Sequence, residues 1–319
     1  MQDWIVTEAD ADIRLDLWLT RHADAGSRSR AASWLEKGKV FLNAQPADPR
    51  DAGYRVHPGD RVGVWIDRPG SARAADRAVR GVEHLLFVVH EDEAVIVVDK
   101  AVGLLVEPLP DRAGEETTLL DMLAARSHHE VRARQYVVHR IDRDTSGLVL
   151  FARTPTARDA LKDQFERRTP TRVYQAVLLG EVTPERGTWT DRLAWDPEAF
   201  RQRRAHGRDA RGKDAVAHYV VMEQYADAAL VEVSLVTGKR NQIRVQAGMR
   251  GHPLLGERQY RFGSPPEPPD LPRIERQALH AWRLGFEHPS TGRPMTFESP
   301  PPDDFLFLTT HLRRRRPGG

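Results

Sequence analysis

The chain has 319 residues, 40% hydrophobic and 29% charged, with 7 Trp, 6 Tyr and 10 Phe; this is enough for two domains with a sizeable core, and the profile excludes a disordered chain. There is no Cys, which excludes a disulfide framework, thiolate metal sites, iron–sulfur clusters and cysteine nucleophiles. The net charge is only +2, but 42 of the 48 basic residues are Arg, a side chain that grips phosphate with two parallel hydrogen bonds and stacks on bases.

Taken alone, GC-rich codon usage explains that skew more readily than an RNA partner does, so where the charges fall counts for more than their number. The N-terminus, MQDWIVTEADADIR, is acidic and has no apolar targeting core. No run reaches the ~18–20 apolar residues of a membrane span. The expectation is a cytoplasmic protein with no membrane partner.

Residues 1–66 read as one small unit. Ile13, Leu17 and Trp18 recur at helical spacing, with Asp10 and Asp12 as N-cap candidates. Ser27 or Ser29 caps a second helix whose apolar face is Ala31, Trp34 and Leu35, and Gly38 sits where a C-cap belongs. Val40 to Leu42 predicts a strand. After the turn Pro58-Gly59-Asp60, Val62, Val64 and Ile66 alternate with Arg61, Gly63 and Trp65 as a second strand does.

Residues 67–81 have no aliphatic periodicity and predict a linker. In 82–312, apolar runs at 85–89, 95–98, 148–151 and 230–236 alternate with helix-like segments near 117–125, 155–168 and 241–249. Strands outnumber helices, which predicts an α+β domain on a mainly antiparallel mixed sheet. Residues 313–319, opening on Arg313 to Arg316, predict a frayed basic tail.

The text with most chemical content is His139-Arg140-Ile141-Asp142-Arg143-Asp144-Thr145-Ser146-Gly147-Leu148. A strand leads in at Val137 and Val138, the polar run turns, and another strand leaves at Leu148. An isolated Asp in such a turn usually bonds its own backbone; here two Arg, a second Asp and Thr-Ser-Gly accompany it.

HRIDRDTSGLVLFA closely resembles the signature of the RluA-type pseudouridine synthases. VVDKAVGLLVEP (97–108), RVYQAVLLG (172–180), TGKRNQIRVQA with GHPLLGERQY (237–260) and residues 276–305 resemble further segments of that family. The resemblance implies a pseudouridine synthase fold, an isomerase without cofactor or metal, and three catalytic residues: Asp142 as the carboxylate, Tyr174 as base or stacking partner, and Arg244 as the cation that keeps Asp142 ionised and aimed. RLDLWL and SRSRAASWLEKGKVFLN resemble the S-four-like RNA-binding domain, which implies that residues 1–66 bind RNA through Arg28, Arg30, Lys37 and Lys39. Arg140 joins them as an RNA contact. The family more often has other residues where this chain has Lys239, Arg240, Asn241 and Gln246, so contacts of those side chains are left open. Read without the resemblance, Tyr174 is a half-buried strand tyrosine and Arg244 a helix-surface residue.

The chemistry fits this residue set. Forming pseudouridine breaks the bond between uracil N1 and the ribose, turns the base and rejoins it through C5. A carboxylate can stabilise or trap a sugar developing positive charge. It can do so by adding to C1′, by adding to uracil C6 or by taking the 2′ proton to give a glycal, the route the resemblance favours. The target base must be extruded or already unpaired. The expected partner is RNA, ribosomal and of the large subunit, acted on by a monomer; transfer RNA and a non-catalytic assembly factor are the alternatives. A hydrolase is disfavoured, because Asp144 stands too close to Asp142 to act across a scissile bond. No HExxH, Walker loop, GxGxxG or Gly-x-Ser-x-Gly pattern occurs.

Overall fold

The computed structural model describes residues 2–23, 25–43, 45–65, 86–108, 116–126, 135–207 and 209–314. The expected linker, 67–81, lies outside them, as do Ile66 and Leu85. The chain divides into two units, Met1–Glu83 with Pro108–Thr117, and His84–Glu107 with Thr118–Gly319.

In the first unit, β1 (Gln2–Ile5), β2 (Val40–Leu42), β3 (Gln45–Pro46) and β4 (Arg61–Val64) form a sheet in the order β1-β4-β2-β3. Helices α1 (Leu15–His22) and α2 (Arg28–Glu36) accompany it. Leu15, Trp18, Leu19, Ala31, Trp34 and Leu35 pack with Val40, Val62 and Val64 into one core, each large side chain contributing about 1.5–3 kcal/mol. Ser27 caps α2 by accepting from Arg30 N at 3.2 Å, as the sequence predicts. The capping expectation for α1 is corrected: Arg14 is its N-cap, with no side-chain cap bond. Asp10 instead pairs with His22, and Asp12, at φ 66°, with Arg55.

The second unit is built on a sheet of β5 (Leu86–Glu91), β6 (Val95–Lys100), β7 (Tyr136–Val137), β8 (Ser146–Ala152), β9 (Thr171–Leu179), β10 (Arg186–Asp196), β11 (Arg201–Arg204), β12 (Lys213–Gln224), β13 (Ala228–Leu235), β14 (Leu279–Glu287) and β15 (Pro294–Glu298). Their order is β11-β10-β12-β13-β9-β14-β8-β6-β5, with β15 beside β14 and β7 beside β8. β14 and β8 run parallel; the other pairings between these strands are antiparallel, so the expected α+β class with a mainly antiparallel mixed sheet holds.

Why residues 95–98 of β6 and 148–152 of β8 are apolar without interruption follows from their two covered faces. Ile96, Val98, Val149 and Phe151 point into one core with Leu119 and Leu123 of α3 (Leu119–Arg126) and with Ile243 and Ala247 of α5 (Gln242–Gly248). Val95, Val97, Leu148 and Leu150 point the other way, onto Ala157 and Leu161 of α4 (Pro155–Arg167). Thr154 caps α4, accepting from Ala157 N at 3.0 Å, and Pro155 supplies its first turn.

The C-terminus departs from expectation. α6 (Asp303–Arg314) buries Phe305, Leu308 and Leu312, and Arg313 is ion-paired with Glu223 at 2.7 Å. The predicted frayed tail therefore does not begin at Arg313; residues 315–319 lie outside the described ones. Among the described residues no helix is long and apolar enough to cross a membrane.

Candidate active site

Asp142 lies in the turn that joins β7 to β8, and β7 folds back on β8 with Val137 opposite Phe151. Buried groups hold that turn by its backbone. The partly buried His139 accepts from Leu150 N at 3.1 Å through Nε2 and stacks on Phe165. Burial, with Arg172 adding to it, pushes the imidazole down to about 3, so it is neutral and free to accept.

The Asp142 carbonyl accepts from Thr145 N at 3.1 Å. The Arg143 carbonyl takes Lys100 Nζ at 2.7 Å, and the same ammonium reaches Ala101 O at 2.8 Å. Arg276 Nη1 reaches the Asp144 carbonyl at 3.2 Å while its Nε and Nη2 grip Asp304 of α6 at 2.7 and 2.9 Å. Lys100 is fully buried. That burial pushes its ammonium down to about 7, against the pull of Asp144 and Asp142. Gly147 completes the turn at φ 108°: a Cβ there would lie 2.2 Å from the Ala281 carbonyl, where β8 meets β14, so only glycine fits.

The Asp142 side chain is 24% exposed. Two donors converge on its Oδ2, Asn241 Nδ2 at 2.8 Å and Arg244 Nη1 at 3.4 Å. Among the described residues Oδ1 has no hydrogen bond. The arrangement leaves one oxygen fixed and the other open.

Arg244 lies on α5 but is far from a surface residue: its side chain is 13% exposed and doubly bonded to buried Glu257, Nε to Oε2 at 2.6 Å and Nη2 to Oε1 at 2.8 Å. Burial works against the guanidinium's charge, yet Glu257 and Asp142 together raise its pKa above the ordinary arginine value. Glu257 is itself fixed by the backbone N–H of Gln259 and of Tyr260. Its carboxyl is held below the usual range because, although burial opposes, Arg244 pairs with it.

Asn241, at φ 53°, stands at the N-terminus of α5 without capping it. Asn tolerates the left-handed region better than most side chains, and its amide is turned elsewhere. Tyr260 Oη accepts from Gln202 N at 3.0 Å and donates to Asn241 Oδ1 at 3.1 Å, which aims the amide NH₂ at Asp142. The close approach of α5 to this segment depends on Gly248, where a Cβ would lie 1.9 Å from the Tyr260 carbonyl. Gln246 anchors the same helix by donating to Asp191 at 2.9 Å.

Tyr174 is 7% exposed on β9, opposite Val233 and Ala281. Burial pushes its phenol up to about 12, with Arg172 opposing and the charge of Asp142 adding. The ring is therefore a neutral phenol at physiological pH.

The fold brings Asp142 and Arg244 together, with Tyr174 within reach of the Asp142 charge. The surface cations fare differently. Arg140 is exposed and paired with Glu107 at 3.0 Å. Arg28 pairs with the buried carboxylate of Asp16 at 2.9 Å, and its own side chain is 60% exposed. Arg30 lies over the Trp34 ring at 5.6 Å, Lys37 is exposed, and Lys39 is partly buried. Sequence reasoning does not select Lys100, Asn241, Glu257, Tyr260 or Arg276, all of which position the turn or the carboxylate.

Comparison with known proteins places the chain in a family. The family described as RNA pseudouridylate synthase matches residues 94–248. An uncharacterized RNA pseudouridine synthase of Bacillus subtilis strain 168, YlyB, is 36% identical over 317 residues, spanning 98% of each chain. Ribosomal large subunit pseudouridine synthase D of Neisseria meningitidis strain Z2491 is 37% identical over 309 residues, which cover 94% of this chain and 79% of the relative. The fold matches human RNA pseudouridylate synthase domain containing 4 with a TM-score of 0.59 at 21% identity, over 76% of this chain and 97% of that one. The chain belongs to the RNA pseudouridine synthase family, of the RluA type, and is an isomerase that converts uridine in RNA to pseudouridine.

Proposed function

We propose that the chain acts on large-subunit ribosomal RNA, with Asp142 as its essential carboxylate, Arg244 as the ion-pair partner and Tyr174 as stacking and proton-relay group. The target assignment is supported by relatives that bear the name ribosomal large subunit pseudouridine synthase D and are 34–37% identical along nearly the whole chain. The observation that carries the catalytic reading is the asymmetry of Asp142, held at Oδ2 by Asn241 and Arg244 and open at Oδ1.

In the reaction the N1–C1′ bond breaks, a C5–C1′ bond forms, C5 loses its proton and N1 gains one. Nothing is oxidised, reduced or hydrolysed. Whether the carboxylate adds to C1′, adds to uracil C6 or removes the 2′ proton, the acting atom is an ionised oxygen facing the target nucleoside, and Oδ1 is that oxygen. A fixed guanidinium and amide on Oδ2 hold it in place without reorganisation as charge develops. Tyr174, a neutral phenol, offers its face to the uracil and its hydroxyl to a relay for the C5 proton. The first unit contributes RNA affinity through Arg30, Lys37 and Lys39, and the enzyme works as a cytoplasmic monomer.

Mapping pseudouridine across ribosomal and transfer RNA in cells with and without this gene tests the target. Loss of sites in large-subunit RNA is expected. Loss confined to transfer RNA, or no loss, refutes the assignment.

A further inference from the structure

The second unit has a cavity of about 650 Å³ that the chemistry described so far does not use. Its walls carry Trp195, Gln202, Arg211, Lys213, Lys239 and Arg240. The guanidinium carbon of Arg240 lies 4.1 Å from the centroid of the Trp195 ring, and Arg240 is exposed while the Trp is partly buried. Arg211 is paired with Asp209; among the described residues Lys213, Lys239 and Arg240 have no ion pair. The nearby carboxylate, Asp214, is shared with Arg192 at 3.9 Å.

Two walls of this cavity lead directly to the catalytic carboxylate. Arg240 precedes Asn241, whose amide donates to Asp142. Gln202 N donates to Tyr260 Oη, which donates to the same Asn241. A planar cation laid on an indole, with two ammonium groups on the walls of the same cavity, suits a nucleobase and its phosphates.

We propose that this cavity is a subsite for a nucleotide flanking the target uridine, its base stacked on the Arg240–Trp195 pair and its phosphates met by Lys213 and Lys239. The inference rests on the reading of the chain as an RNA-modifying enzyme and adds where the neighbouring strand lies. The field agrees: burial, then Lys213 and Arg168, lower the pKa of Lys239 while Asp214 opposes, so an anion arriving there relieves repulsion between cations.

The test compares wild type with Trp195→Ala, Trp195→Phe, Arg240→Ala and Lys239→Ala on an unmodified in vitro transcript of large-subunit ribosomal RNA. Binding is measured at several salt concentrations, and pseudouridine formation in single turnovers. Trp195→Ala is expected to weaken binding roughly 5- to 150-fold, the range for losing one base stack, while Trp195→Phe keeps most of the affinity. Lys239→Ala is expected to flatten the slope of log affinity against log salt by about 1. Arg240→Ala, a change at an exposed position that leaves the fold intact, is expected to weaken binding in the same direction as Trp195→Ala. Wild-type affinity and salt slope in Arg240→Ala and Lys239→Ala overturn the subsite. A wild-type chain that binds the transcript but forms no pseudouridine in it overturns the large-subunit target instead, and the binding comparison still decides the subsite.

Discussion

Replacing Lys100 by Met is the perturbation whose outcome can be worked out most fully. The folded ammonium titrates near 7 and the unfolded one near its ordinary 10.5. From pH 7 to pH 9 the unfolded state therefore keeps its proton while the folded state loses it. The unfolded state binds more protons over that interval, so stability rises with pH. At about 1.4 kcal/mol per tenfold change in proton affinity, Lys100 alone adds about 2 kcal/mol between pH 7 and pH 9.

Lys100→Met removes that gain and leaves the carbonyls of Ala101 and Arg143, now bonded at 2.8 and 2.7 Å, without their donor. At pH 9, where the wild-type amine is neutral but still donates to both, the variant should be less stable by about 2–4 kcal/mol. The assay is urea-dependent hydrogen exchange of the β6 and β8 segments at both pH values, corrected for intrinsic exchange. A variant with the same pH dependence as wild type would refute the reasoning, since the titrating group would then lie elsewhere.

Two further outcomes concern the site itself. Asn241→Ala deletes a hydrogen bond to a charged oxygen and should slow single-turnover isomerisation roughly 10- to 150-fold with little change in RNA affinity; an unchanged rate would show that Arg244 alone positions Asp142. Tyr174→Phe keeps the ring face, so binding should persist while the rate falls roughly 100-fold, and equal rates would restrict Tyr174 to stacking. With the phenol pushed up to about 12, the wild-type rate should show no Tyr174 ionisation between pH 6 and pH 9.

Local signals are legible in the amino-acid order alone. The uninterrupted apolar runs of β6 and β8, the Ser27 cap and the turn around Asp142 depend on neighbours a few residues away, and periodicity and turn chemistry report such neighbours. Long-range partners leave no such trace. Arg244 reads as a helix-surface residue because nothing near it in the chain announces Glu257, 13 residues on, or Asp142, 102 residues back.

Lys100 breaks the rule that lysine stays in water, and only its place at the end of an aliphatic run hints otherwise. Asn241 stands out in the chain merely as a departure from related sequences, and gains its role from the tertiary contact with Tyr260. β1 is four residues with no alternation to detect. α6 is different, because Phe305, Leu308 and Leu312 recur at helical spacing. That signal is present, and the arginine run that follows masks it.

The central claim is that one ionised oxygen of Asp142 performs the isomerisation. Asp142→Asn keeps the shape and removes the charge. Incubated with an unmodified large-subunit transcript in single turnover, this variant should bind the RNA close to wild-type affinity and form no detectable pseudouridine, whereas appreciable conversion would contradict the account.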